Sequence, residues 1–398
     1  MGVADKIDGW FRLWINQFKI GNIQNKRCND NEFVLIIKLD AIGDFIIWLD
    51  SAKEYKKIFP DKSIVLLCDV KCKDLASVYE CFDEIITLDI KKFEKDTDYR
   101  NTVIIENGKR QYGLLIQTAY SRTQHMDMLS ASIPAKVKIA FEADESKSNV
   151  SRSVVTTKNK LRLDSIYDKL IPSSKANLME LQRNKEFIHG LGHKNFKSSI
   201  PALPKIEGVK IPQMEYFLVF PGASTKMKTW RLERYAKVIN YINKKTAWTC
   251  LVCGSSSENT LFELMETYID DKSRFVNYCG KTTLIELIET VRNAKIVISN
   301  DTSGIHFAAA TGVTAICPLG EYNYGRFLPY KADRGVSTVC VCSANMRCRG
   351  CASGTMSLRC IVHILRTGKY LCVDKISADS FIKEVAACLE RDLNENYN

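Results

Sequence analysis

The sequence predicts an α/β protein of two domains. Three stretches carry that expectation, because each is an apolar β-type run that opens through a short polar loop into a helical pattern. Residues 33–39 lead to Phe45, Ile46, Trp48 and Leu49; residues 216–220 lead to the pattern 232–242; residues 294–299 lead to a small-residue pattern ending at Gly312. The length agrees: 398 residues at roughly 150 per domain gives two, and 45% hydrophobic content builds ordinary cores. Beyond this recurring strand-loop-helix unit there is no internal repeat.

At the N-terminus Ile7, Trp10, Phe11, Trp14 and Phe18 fall at the spacing of one helix face. An amphipathic helix over 1–24 either lies in a membrane interface, where Trp is favoured, or packs on protein. No apolar run reaches the ~20 residues of a spanning helix, so the chain is expected to be cytoplasmic, and peripheral at most on the inner face of a membrane.

The first strand turns at Asp40-Ala41-Ile42-Gly43, and Asp44 begins a helix. A carboxylate in a first helical turn is held as the anion by the helix dipole and can accept a proton; the plainer alternative is a capping aspartate. Residues 142–160 are polar and read as a loop. Pro201 and Pro204 mark 199–204 as the interdomain linker. The second unit opens into Pro221-Gly222-Ala223-Ser224-Thr225-Lys226-Met227-Lys228-Thr229-Trp230, whose hydroxyls and two lysines suit a diphosphate or, alternatively, form a solvated basic loop.

The third opens into Asp301-Thr302-Ser303-Gly304, with His306 on the first turn of the helix that follows. A strand turning sharply into a helix aims unpaired N–H groups at one point, which makes an anion site; the alternative is an ordinary turn capped by Thr302 or Ser303.

Fifteen cysteines without a signal peptide point to a reducing compartment and buried free thiols such as Cys68, Cys250, Cys253 and Cys317. Cys348 and Cys351 have knuckle spacing, and with Cys360 and Cys372 they make a candidate four-thiolate site for a structural zinc or iron ion. Cys340 and Cys342 belong to an apolar strand. The alternative is a set of unconnected thiols. The net charge of +11 favours acidic partners. Much of the excess lies in 136–162 and 183–197, and no arginine-rich helix or aromatic RNA motif supports nucleic acid.

Taken together, Gly43-Asp44, the Pro-Gly-Ala loop with Lys228-Thr229-Trp230, and Asp301-Thr302-Ser303 with His306 resemble glycosyltransferase family 9, the bacterial heptosyltransferases, over about residues 33–385. The resemblance implies GT-B architecture, with two Rossmann-like domains facing across a cleft. Residues 25–204 would hold the acceptor, 205–375 the nucleotide-sugar, and 376–398 a terminal helix returning to the first domain. It also implies Asp44 as the base on the acceptor hydroxyl and Lys228 on the diphosphate. Ser224, Thr225, Thr302, Ser303 and Gly304 would be further donors, with Asp301 at the donor sugar or ordering its loop, His306 near the phosphates and Glu258 in the nucleoside region.

The reaction expected is inverting transfer of a heptose, or a similar sugar, from ADP-heptose to a cell-envelope saccharide, lipopolysaccharide core or O-antigen, with no catalytic metal. The metal-binding Asp-x-Asp of other glycosyltransferases occurs once, Asp96-Thr97-Asp98, and reads as a solvated charged loop. The cysteine cluster looks like that of autotransporter heptosyltransferases, making transfer to protein serines the runner-up. A catalytically silent, metal-stabilised assembly subunit is the alternative of another class, against which Asp44, Lys228 and Asp301 argue.

Overall fold

The computed structural model describes residues 32–142, 163–174, 176–330, 339–348, 350–351 and 356–395, without the side chains of 339–341 and 391–395. The aromatic stripe at 7–18 and the polar stretch from 143 lie outside the described residues. The chain divides into two compact units. One comprises Met1–Ala41, Ser51–Lys175 and Arg183–Phe196, the other Ile42–Asp50, Ala176–Gln182 and Lys197–Asn398. Residues 199–204, read as a linker, are tied within the second unit: Ser199 N–H and Oγ donate to Asp50 at 2.6 and 2.7 Å, and Leu203 N–H to Ala310 O at 2.9 Å.

The first unit is built on a six-stranded sheet of β1 (Phe33–Lys38), β2 (Ser63–Asp69), β3 (Glu84–Leu88), β4 (Tyr112–Gln117), β5 (Ala135–Phe141) and β6 (Lys169–Ile171), ordered β3-β2-β1-β4-β5-β6 with every pair parallel. Strands β1 and β2 are continuous apolar runs because helices cover both faces of a parallel sheet. The helices of the N-terminal half are α1 (Ile42–Ala52), α2 (Glu54–Ile58), α3 (Lys73–Val78), α4 (Ile90–Lys95), α5 (Thr97–Gly108), α6 (Gln124–Ser132) and α7 (Glu180–Gly190). Asp96-Thr97-Asp98 is not a loop. Asp96 is the N-cap of α5, its Oδ1 accepting from the N–H groups of Asp98 and Tyr99, both at 3.0 Å, so the motif is spent on starting a helix.

The second unit repeats the plan. Strands β7 (Tyr216–Phe220), β8 (Thr249–Val252), β9 (Phe275–Asn277), β10 (Val297–Ser299), β11 (Ala315–Leu319) and β12 (Val339–Ser343) form a parallel sheet ordered β12-β11-β10-β7-β8-β9. Its helices are α8 (Leu232–Lys245), α9 (Asn259–Glu266), α10 (Leu284–Arg292), α11 (Ser303–Thr311), α12 (Leu358–Thr367), α13 (Leu371–Lys375) and α14 (Ala378–Glu395). Helix α8 buries Tyr235, Ala236, Val238, Ile239 and Ile242, one face at helical spacing. The terminal helix, expected to return to the first domain, packs Phe381, Val385, Cys388 and Leu389 into the second unit's own core beside Trp230 and Tyr235.

Counted within its unit, each sheet has the order 3-2-1-4-5-6 of a Rossmann fold. The chain reverses direction across the sheet between the first and fourth strands, and the loops leaving the carboxyl ends of those two strands diverge. In sheets of this order ligands bind at that divergence. In the second unit these are the loops after β7 and β10, the same two that the sequence marks with hydroxyls, lysines and Asp301.

Candidate active site

The two loops are joined by a residue the sequence reading passed over. Asn300, fully buried at the end of β10, donates from Nδ2 to the carbonyls of Pro221 at 2.7 Å and Gly222 at 3.1 Å, while its Oδ1 accepts from Trp230 N–H at 3.2 Å. One amide thus fixes both ends of the lysine loop. Trp230 is core: its indole N–H donates to Ile376 O at 2.9 Å, and its ring packs on Tyr235 and Phe381.

Between those ends Lys226–Lys228 form a 3-10 turn, with Ser224, Thr225 and Lys226 exposed. The turn is clamped by a segment some 140 residues away. Lys369 Nζ donates to Thr229 O and Oγ1 at 2.9 and 2.8 Å, and Tyr370 N–H to Met227 O at 2.9 Å. Tyr370 stacks on Tyr322, and Lys228 Nζ stands 5.2 Å from the Tyr322 ring centre. Tyr322 in turn reaches Asp301: Asp301 Oδ2 accepts from Asn323 Nδ2 at 3.0 Å and lies 3.4 Å from the Tyr322 hydroxyl. Asp301 is thereby held from its own side of the loop, and Lys228 and Asp301 share one aromatic platform.

Helix α11 begins at Ser303. Its N-cap Thr302 makes no capping bond through its side chain, whose hydroxyl lies 3.2 Å from Ser299 Oγ instead. The first-turn N–H groups are therefore not capped by that side chain, as an anion site requires. Gly304 permits the approach of this turn to the sheet, since a Cβ there would stand 2.6 Å from the Phe220 ring and 2.8 Å from Ser299 Oγ.

His306 is buried, and burial lowers its pKa to about 4 against the opposing pull of Asp301. It is neutral at pH 7. Its Nδ1 is 2.6 Å from the Tyr330 hydroxyl. Gly43 lies against its other edge: a Cβ on Gly43 would be 2.8 Å from His306 Cδ2 and 3.7 Å from Ser303 Cα. The first and third motifs, some 260 positions apart, are thus in contact within the second unit, with half-buried Asp44 next in line in the first turn of α1. Ile47 one turn on packs with Met179 and Leu181, against Phe327 and Tyr330.

Glu258 is engaged in the scaffold. Its Oε2 accepts from Ser255 N–H and Oγ at 2.7 and 2.8 Å in a capping box, and its carboxylate fills the space that a Cβ on Gly222 would occupy. It buttresses the start of the lysine loop from the neighbouring strand.

Of the four candidate metal ligands, Cys348 and Cys351 are half-buried, while Cys360 on α12 and Cys372 on α13 are buried. Burial first, then the charges of Cys348, Cys372 and Cys360, push the Cys351 thiol up to about 11. Cys351 is thus close enough to each of the other three to feel it. Among the described residues no three His, Cys, Asp or Glu side chains stand together as a metal-binding group. Burial also raises the pKa of Cys372, opposed by the backbone of Tyr322, Glu321 and Val373.

The profile of glycosyltransferase family 9 (heptosyltransferase) matches residues 143–361, more than half of the chain. The chain belongs to that family. It is a glycosyltransferase, and its paired Rossmann-like sheets are those of the GT-B fold. No curated protein sequence matches it. Among solved structures it is similar to a family 9 glycosyltransferase from Veillonella parvula DSM 2008, at 18% identity over 92% of this chain and 100% of that one, with a TM-score of 0.68. It is also similar to ADP-heptose lipopolysaccharide heptosyltransferase II of E. coli, at 13% identity over 90% and 99% of the two chains and a TM-score of 0.62. TibC, an iron-containing dodecameric glycosyltransferase of enterotoxigenic E. coli H10407, aligns at 12% identity over 92% and 78%, with a TM-score of 0.53. At such identities the likeness is one of fold.

Asn300, Tyr322, Tyr330 and Lys369 were not found from the sequence. Asn300 had a signal, a polar residue closing a buried strand immediately before Asp301. Lys369 and Tyr370 had none, because their partners are remote in the chain.

Proposed function

We propose that this family 9 enzyme is an inverting heptosyltransferase that moves a heptose from ADP-heptose to a hydroxyl of a cell-envelope saccharide, lipopolysaccharide core or O-antigen. The observation that supports the reading is the close approach of Gly43, the residue before Asp44, to His306 and Ser303 in the first turn of α11, whose N-cap side chain makes no capping bond. Asp44 removes the proton of the acceptor hydroxyl as its oxygen bonds to the anomeric carbon. The bond from that carbon to the diphosphate breaks on the opposite face, so configuration inverts, and ADP departs.

Charge accumulates on the leaving diphosphate. Lys228 and the first-turn N–H groups of Ser303 and Gly304 stabilise it, with the hydroxyls of Ser224, Thr225, Thr302 and Ser303 as further donors. Neutral His306, positioned by Tyr330, offers a hydrogen bond without adding charge. Asp301, held by Asn323 and Tyr322, orients the donor sugar. Glu258 acts on the nucleoside side through the loop it buttresses. The E. coli heptosyltransferase II similar in fold is named for ADP-heptose, which supports that donor.

Transfer to serines of an autotransporter is the second reading, favoured by Cys351 lying near Cys348, Cys360 and Cys372. Cys348, Cys351, Cys360 and Cys372 suit a structural zinc or iron ion by donor type, four thiolates with Cys351 near each of the others, although their side chains do not stand together as a ligand set in this structure. Such an ion would fix α12 and α13. Elemental analysis should find about one equivalent of zinc or iron, lost on Cys360→Ser; a metal-free purified protein rejects the site.

Calorimetric titration with ADP, GDP, UDP, CDP and then ADP-heptose tests the main reading. Selective ADP binding that tightens with the heptose attached supports it. Preference for another nucleotide rejects heptosyl transfer, and absence of all binding favours a silent subunit.

A further inference from the structure

Helix α12 is built the wrong way out for a core helix. Leu358, Ile361, Val362 and Leu365 fall at i, i+3, i+4 and i+7, and they are 74%, 42%, 38% and 81% exposed. Its inward side carries Cys360 and His363, the latter 3.0 Å from Asp374. The most apolar stripe of the helix faces solvent, beside exposed Arg359 and Arg366 one face-width away. From Ser357 to Lys369 there is no carboxylate, and the exposed cations Arg359 and Arg366 accompany the four exposed apolar side chains.

We propose that this face of α12 docks on an anionic lipid bilayer surface. An interfacial helix needs apolar residues on one side with arginine or lysine flanking them, and it lies in the headgroup plane without spanning. The arginine stems continue the apolar face while their guanidinium groups reach lipid phosphates. Two features disfavour a second copy of the chain as occupant. A ten-residue helix with four exposed apolar side chains offers far less than the ~800 Å² per partner of a stable protein interface. Self-pairing would also set arginines against arginines. The net charge of +11 adds long-range attraction to an anionic surface. Among the described residues no helix is long and apolar enough to cross a membrane.

The test is flotation of the full chain with phosphatidylglycerol-rich vesicles and with phosphatidylcholine vesicles. The wild type should float with the anionic vesicles, less so at high salt, and weakly with the neutral ones. Leu358→Ser with Leu365→Ser should lower the partition coefficient at least about tenfold, and Arg359→Gln with Arg366→Gln should lower it on anionic vesicles alone. All four side chains are exposed, so an unchanged melting temperature and near-ultraviolet dichroism certify the fold. Wild-type binding that the leucine variant retains in full overturns the proposal and moves the contact elsewhere in the chain. A wild type that does not float also overturns it. If that protein is an oligomer which the leucine variant dissociates, the face is an interface between copies.

Discussion

Gly222 and Glu258 make a coupled pair whose energetics follow from the site. Gly222 has ordinary backbone angles, so alanine is tolerated by the chain itself, but its Cβ would fall on the Glu258 carboxylate. The carboxylate must swing away, and it then abandons Ser255 N–H and Oγ. Those bonds are exposed, and losing a cap of this kind costs about 1–2 kcal/mol. Gly222→Ala should thus cost about 1–2 kcal/mol, offset slightly by the stiffer unfolded chain. Glu258→Ala should cost the same about 1–2 kcal/mol, because it loses the same bonds.

In the double variant the cap is already gone and alanine enters vacated space, so the damage should not exceed that of Glu258→Ala alone. The cycle closes with a coupling of about 1–2 kcal/mol instead of adding. For a unit of this size each single variant should lower the melting temperature by about 3–6 °C by scanning calorimetry, and the double by no more than Glu258→Ala. Additive losses would show that the carboxylate does not occupy the space beside Gly222, and would sink the account of Glu258 as a buttress.

Three other outcomes are expected. Asp44→Asn should reduce transfer by at least about three orders of magnitude with ADP affinity nearly unchanged, measured by product formation and calorimetry; full activity removes Asp44 as the base. Lys369→Met keeps the apolar stem but frees Thr229, so ADP affinity should fall about five- to tenfold while adenosine binding stays constant, and equal losses for both ligands would deny a clamp on the diphosphate loop. His306 has a folded pKa of about 4, below the ordinary value of 6.5, because burial opposes its charged form. Its stabilising contribution is therefore complete above about pH 6.5 and is lost as pH falls through about 4, by up to about 3 kcal/mol. Urea unfolding of wild type against His306→Gln should converge across that window, and parallel curves would contradict a buried neutral imidazole.

Strand and helix placement was legible in the chain wherever burial repeats on a period. Tyr216–Phe220 is apolar at every position because a parallel strand is covered on both faces, and α8 shows its buried face at helical spacing. Asp96-Thr97-Asp98 was misread as a loop because caps and solvated turns use the same residues, and only the backbone angles separate them. The terminal helix was legible as a helix, but its packing partner was not, since an apolar stripe does not specify which core it joins.

For the site, the sequence by itself determined which residue types stand at the strand ends: Asp44 after Gly43, lysines and hydroxyls after β7, and Asp301-Thr302-Ser303 before α11. Residue type and local period suffice there, because a turn at a strand end dictates where its N–H groups point. The tertiary structure alone decided which motifs meet. Gly43 against His306, Asn300 across the lysine loop, and Lys369 on Thr229 are contacts between residues far apart in the chain. Strand order in the sheet creates them, and strand order is set by packing of whole elements, which no local pattern encodes.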